Sequence, residues 1–229
     1  MERVKEMKVT LEKNGYEVLK QFVDKKTMQT IKDEVDNYEA PYPKYGIRSA
    51  DKKFATIAHL MNSSHLLGKA TEILGSTPKV VRVIYFDKTE ESNWLVPWHQ
   101  DRTIALNEKR EVKSWGKWSM KDGVHHVQPA VDVLDKMITF RVHLDDCDRK
   151  NGCLKVIPQS HTLGLLTQEQ IREITQKEAF EYCEVKEGDV LLMRPHILHA
   201  SSKCDMPIHR RIVHIEYSNY DLPDGLEWV

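Results

Sequence analysis

Apolar residues recur at two different periods along this chain, and the change of period divides it. Within residues 25–38, Met28, Ile31 and Val35 keep the three- and four-residue spacing of one helix face. Residues 60–74 predict another helix, stopped by Gly75. A short strand fits residues 16–19. From Pro78 onward the helical period is lost. The run 80–86 is rich in β-branched and aromatic residues, and so are 137–144, 154–157, 190–193 and 212–217, which predicts strands through the last two thirds. Asn151-Gly152, Glu187-Gly188-Asp189 and the prolines at 158, 195 and 207 supply turns between them. A helix over about 168–175 interrupts the series.

Helices followed by many short strands predict a mainly β fold with flanking α-helices: a sandwich or barrel whose one sheet is covered by the N-terminal helices. The helical buttress spans about 1–77 and the strands about 78–220. Segment 107–129 lacks clear periodicity, and loops of that length in compact domains are usually functional lids or disordered. Its Trp115 and Trp118 favour an ordered lid.

Composition narrows the class of partner. At 229 residues, 40% hydrophobic and 30% charged, the chain has the usage of an ordinary globular protein, and one domain, 1–229, accommodates it. Lys plus Arg number 34 against 35 Asp plus Glu. That balance removes the global electrostatic argument for nucleic acid or an anionic membrane. No apolar run has the length of a membrane span, the N-terminus has no apolar leader, and Cys147, Cys153, Cys183 and Cys204 contain no Cys-x-x-Cys pair. The expectation is a cytoplasmic protein with reduced thiols, acting on a small molecule.

His-x-Asp arises by chance in a chain of this length, and here it occurs as His99-Gln100-Asp101 and His143-Leu144-Asp145, with His214-Ile215-Glu216 as a carboxylate-equivalent third case. On a strand, residues i and i+2 share a face, so each places imidazole beside carboxylate. Such a pair is two thirds of a two-His-one-carboxylate site, which leaves positions open and suits Fe(II) oxygenases. The segment 194–202, holding His196 and His199, supplies a further ligand. Thr139, Arg141 and His143 share one parity and predict polar groups lining the interior, although an ordinary buried network accounts for them as well.

The order His99-Gln100-Asp101, then Asn151-Gly152-Cys153-Leu154-Lys155-Val156-Ile157-Pro158-Gln159-Ser160-His161, Gly188-Asp189, His199 and Arg210 resembles the phytanoyl-CoA dioxygenase family of Fe(II)/2-oxoglutarate oxygenases, from about residue 10 to 220. Where the family usually has Gly, this chain has Gln159. The resemblance implies a double-stranded β-helix, a cupin-like jelly-roll barrel, with Fe(II) held by His99, Asp101 and His199, and with 2-oxoglutarate and O2 as cosubstrates. Arg210 would bind the distal carboxylate of 2-oxoglutarate with help from Ser201, near Arg141 and Thr139, because a guanidinium offers a bidentate fit. Arg210 shares parity with His214 and Glu216, whereas Arg211 shares that of Val213, Ile215 and Tyr217. Trp98, Trp115 and Trp118 are candidates for closing the site against water.

The implied reaction is hydroxylation of an unactivated C–H bond, with desaturation or epimerisation as family alternatives; retention of Asp101 points away from halogenation. Lys109, Arg110, Lys113, Lys117 and Lys121 hint at an acidic or aromatic substrate, but Glu108, Glu111 and Asp122 offset them. A non-catalytic jelly-roll binding protein is the competing class. A zinc hydrolase lacks its His-Glu-x-x-His helix here.

Overall fold

The structure is a computed structural model and describes residues 2–39, 45–90, 92–204 and 209–229, so the turn expected at Pro207 lies outside it. Helix α1 (Glu2–Asn14) passes through Gly15, at φ +84°, into β1 (Tyr16–Leu19). Helix α2 (Lys25–Asp36) opens on Asp24, whose carboxylate accepts from Thr27 N at 2.9 Å and satisfies a donor the helix leaves free. Strand β2 (Gly46–Arg48) follows. The single helix expected over 60–74 is two, α3 (Ala55–Asn62) and α4 (Ser64–Leu74). Ser63 breaks it by turning extended, at ψ 146°, and capping α4 through Leu66 N; a serine side chain competes with helix continuation in this way.

Strands β3 (Lys79–Lys88), β4 (Val96–His99), β5 (Ile104–Leu106), β6 (Gly116–Lys121) and β7 (Val124–Gln128) come next. A short α5 (Val131–Asp135) then precedes β8 (Met137–His143) and β9 (Leu154–Val156). Helix α6 (Gln168–Lys177) is followed by β10 (Glu181–Cys183), β11 (Val190–Met193), β12 (His199–Ser201) and β13 (Arg210–Ser218).

The large sheet runs β1-β11-β8-β13-β3-β2 and the small one β10-β9-β12-β4. This is a jelly-roll arrangement of two antiparallel sheets with flanking helices, and it corrects the expected barrel: among the described residues no strand belongs to both sheets. The reason lies in the N-terminal third, whose β1 and β2 occupy both edges of the large sheet. Alternation sorts its central strands. Ile138, Phe140, Val142 and Leu144, with Val213, Ile215 and Tyr217, face outward onto Met28, Ile31, Ile57, Leu66 and other helix residues in the main apolar core. The opposite parity, Thr139, Arg141 and His143, is buried on the inner side.

Segment 107–129 is more regular than its sequence predicts. Strands β6 and β7 form a hairpin that joins β5 in a third sheet, β5-β7-β6. Asp122 and Gly123, at φ +50° and +77°, close it between Lys121 and Val124; two positive φ values in a two-residue loop are what a type I′ turn needs. No helix of the described residues is long and apolar enough to cross a membrane.

Candidate metal centre

Strand pairing brings the two distant histidines together. His199 on β12 stands directly opposite His99 on β4, and their ring centroids are 4.1 Å apart. Asp101, just past β4, is held by its backbone N–H donating to Pro195 O at 2.9 Å. Between them Gln100 points the other way, its amide donating to Gly164 O at 2.7 Å and His196 O at 2.8 Å while its oxygen accepts from Leu166 N at 2.9 Å. That buried clamp fixes the turn in the chain on which both ligand candidates depend.

The Asp101 oxygens lie 3.7 Å from His99 Nε2 and 3.6 Å from His199 Nε2. Each imidazole uses Nδ1 on the carbonyl two residues back, His99 on Pro97 O and His199 on Ile197 O, both at 2.8 Å. A backbone acceptor holds the proton on Nδ1 and leaves the Nε2 lone pair free, the tautomer a metal requires. One donor atom from each residue lies within 4.8 Å of the others. This donor set fits Fe(II). Burial, then the neighbouring His99, pushes His199 down to about 3, so it is neutral. Burial alone would raise the Asp101 carboxyl, but His199, His99 and His214 in their protonated forms, then Arg82, outweigh it and hold it below the ordinary value.

A second cluster, Asp101, His214 and Glu216, also has donors within 4.8 Å. Both ring nitrogens of His214 and one oxygen of Glu216 are already engaged, while Glu216 Oε2 is buried without a partner. Glu216 Oε1 is 2.5 Å from Arg82 Nη2 and accepts from His214 Nε2 at 3.0 Å, and His214 Nδ1 meets Arg141 Nη1 at 3.0 Å. This network therefore buttresses Asp101 from behind.

Beside the triad a cleft of about 790 Å³, including its open mouth, runs between the sheets past Phe86, Trp94, Leu154, Ser201 and Arg210. At its inner end Arg210 pairs with Lys88 across the β13–β3 ladder. Lys88 Nζ donates to Ser201 Oγ at 3.0 Å and Ser202 O at 2.8 Å. Arg210 donates through Nη1 to Gly152 O, while its buried Nε has no acceptor. Among the described residues no carboxylate pairs with Arg210, Lys88 or Arg141. Three buried cations without a counter-ion leave a place for a carboxylate.

The Asn151-Gly152-Cys153-Leu154 string now has a cause. Asn151 Nδ2 donates to Asp146 O at 2.7 Å and its Oδ1 accepts from Asp148 N at 2.8 Å. Gly152, at φ +74°, lies so close to Ser202 that a Cβ would sit 2.5 Å from that carbonyl. Gly152→Ala is therefore expected to destabilise the protein by about 2–3 kcal/mol in urea unfolding. Gln159 holds φ +66°, a left-handed turn in which glycine is the easier residue.

Other residues fall elsewhere. Trp115 and Trp118 pack onto the cluster of Val81, Ile104, Leu134 and Met137, and Trp98 onto Leu166, Ile171 and Leu198. Trp94 lines the cleft instead. Thr139 is wholly buried and does not line it. Asp145 points away from His143 to Arg211, which donates through Nε at 2.9 Å and Nη2 at 2.8 Å. His196 Nε2 is 3.1 Å from Asp135, and His161 Nε2 meets Glu12 O at 3.0 Å. Sequence reasoning missed Lys88, Arg82 and Trp94. The first two share the inward parity of Ile84 and Phe86, and extending the strand expected over 80–86 by two residues would have found Lys88.

Two histidines and a carboxylate set between jelly-roll sheets define the class of non-haem metal oxygenases. Residues 11–211 match the model of the family described as phytanoyl-CoA dioxygenase (PhyH), and the chain belongs to this family of Fe(II)/2-oxoglutarate oxygenases. Solved structures agree in fold. The non-haem alpha-ketoglutarate-dependent epimerase SnoN from nogalamycin biosynthesis superposes with TM-score 0.72 at 13% identity, over 98% of this chain and 91% of its own. AviO1 from Streptomyces viridochromogenes Tue57 gives 0.69 at 16%, over 96% of both chains. HygX from Streptomyces hygroscopicus, solved with nickel and 2-oxoglutarate, gives 0.68 at 15%, over 93% and 86%. None of the curated proteins matches the sequence. Family and donor set together place the chain among Fe(II)/2-oxoglutarate-dependent enzymes of oxidative chemistry.

Proposed function

We propose that this protein hydroxylates an unactivated C–H bond of a small molecule, using Fe(II) and O2 and converting 2-oxoglutarate to succinate and CO2. The observation that carries the reading is the pairing of two free Nε2 atoms and a carboxylate with a buried, uncompensated cationic pocket in the same cleft. His99, Asp101 and His199 would hold the metal and leave three positions open. Bound Fe(II) would supply the activation of O2. Arg210, with Ser201, would take the distal carboxylate of 2-oxoglutarate and so orient its 2-oxo end toward the metal, with Lys88 buried behind them on Ser201 Oγ. Arg141, tied to His214, adds positive field between the two.

The test is succinate release from 2-oxoglutarate with Fe(II) and ascorbate, together with mass analysis of products from a metabolite panel. Uncoupled turnover and a product heavier by one oxygen support the proposal. A product of unchanged mass would make the protein an epimerase, loss of two hydrogens a desaturase, and absence of both metal binding and turnover a binding module.

Lys88 gives a pH signature. Burial, then the charge of Arg210, pushes its ammonium down to about 7. The unfolded chain, with an ordinary lysine near 10.5, binds the proton more readily, so this residue makes stability rise with pH between about 7 and 10.5. Without 2-oxoglutarate, the unfolding free energy of wild type relative to Lys88→Met should therefore increase from pH 7 to 10, by about 1–4 kcal/mol. A flat difference across that range would show that Lys88 stays charged in the apo protein.

A further inference from the structure

The cleft has a second positive end. On the β3–β13 ladder Lys88 pairs with Arg210 at one end and Arg82 with Glu216 at the other, separated by roughly 20 Å of extended chain. At this outer end Arg48, Arg82 and Lys121 line both the metal-side cleft and a smaller, more enclosed one that shares them and runs over Val80, Val81, Val83 and Ala105. Arg48 stands opposite Ile84 on the β2–β3 ladder and shares its inward face. Lys121 is brought to the rim by the Asp122-Gly123 turn, which is fastened to the edge strand through Asp122 Oδ2, 3.3 Å from Arg48 Nε.

These three cations are unequally compensated. Arg82 has Glu216 at 2.5 Å, fully buried. Among the described residues Arg48 pairs only with Asp122, whose side chain is 73% exposed, and screening by water leaves such a pair little strength. Lys121 pairs with no carboxylate among the described residues, and desolvation, then Arg48 and Arg82, hold its ammonium below the ordinary value. Among the described residues the sole carboxylate lining the metal-side cleft is Asp101, which belongs to the triad, while Asp51 and Asp122 line the smaller one. 2-Oxoglutarate held at Arg210 is too short to reach this end, so its charge leaves Arg48 and Lys121 unanswered.

We infer that Arg48 and Lys121 bind an anionic group, a carboxylate or a phosphate, of the organic substrate. The substrate is then a small acid whose reacting carbon lies between this pair and Asp101, with Arg82 fixed by Glu216 beneath it. The inference rests on the reading of the triad as an Fe(II)/2-oxoglutarate centre and adds the substrate's chemical class. It also gives segment 107–129 a part in the site through its hairpin tip.

The test is calorimetric titration of the Ni(II)- and 2-oxoglutarate-loaded protein with four probes of similar shape: benzoate, phenyl phosphate, benzyl alcohol and benzylamine. Benzoate or phenyl phosphate should bind while the alcohol and the amine do not, and the tighter anion identifies the headgroup. In the Arg48→Ala/Lys121→Ala double variant that affinity should fall about tenfold or more, and Lys121→Arg should keep it within about threefold. Binding of the alcohol or amine as tight as that of the anions, no binding by any probe, or unchanged anion binding in the double variant overturns the inference. Titrating 2-oxoglutarate into the Ni(II)-loaded wild type separates the two levels. Failure there counts against the metal-centre reading, whereas normal 2-oxoglutarate binding with charge-blind probes counts against the anion site alone.

Discussion

Alanine at His99, Asp101 or His199 is expected to abolish turnover and to weaken Fe(II) or Ni(II) binding by more than about 100-fold, because even the hydrogen-bond partners behind metal ligands are typically worth 10- to 100-fold. The three donors converge on one point, and each histidine arrives with Nδ1 already committed to a backbone carbonyl. Removing one therefore leaves a bidentate site that cannot be rebuilt from neighbours, since His214 and Glu216 are held by Arg141 and Arg82. His143→Ala is the control. That ring is buried on β8 opposite Ile212 and belongs to neither donor cluster, so metal affinity should be retained and only stability or rate should fall. Metal titration by calorimetry on the four variants decides; loss of metal in His143→Ala with retention in His99→Ala would move the site to another strand.

Arg210→Ala should raise the apparent KM for 2-oxoglutarate by roughly two orders of magnitude, since leaving a buried carboxylate unpaired costs about 3–5 kcal/mol and each tenfold is about 1.4 kcal/mol. Arg211→Ala should leave KM within about threefold and lower stability instead. The two neighbours differ because β13 is regular where they lie: Arg210 pairs with Lys88 and Arg211 with Asp87, and the register shift comes only after Glu216. Arg211 consequently faces the helices, where it makes a two-point contact with Asp145 and lies 3.7 Å from Asp36. Parallel 2-oxoglutarate titrations and thermal melts on the two variants should give crossed phenotypes. KM defects of equal size in both would show that the ladder slips in solution.

Much of the site was legible because it is written in local pattern. His99-Gln100-Asp101 puts ligand, clamp and ligand on alternating faces, and the parity of 210–217 separates the two arginines without any coordinates. The outer face of β8 was equally readable, since alternation is a property of the strand itself. Within 107–129 the Asp122-Gly123 pair is itself a local hairpin signal, whereas the strands it joins carry no clear alternation.

The chain's own pattern thus determined the strands, which of their faces is polar, and the residues able to hold a metal. Tertiary structure decided what no local period encodes: that His199 lands opposite His99, that β1 and β2 take both edges of the large sheet and leave it open, and that the tryptophans of 107–129 pack into a core while Trp94 lines the cleft. It also decided that Lys88 is buried behind Ser201 and Arg210 at one end of the cleft while Arg48 lines the other. Hydrophobicity specifies that a side chain is buried, but its partners are set by ladder register and sheet packing between segments far apart in sequence, where burial is non-directional and many pairings satisfy the same pattern.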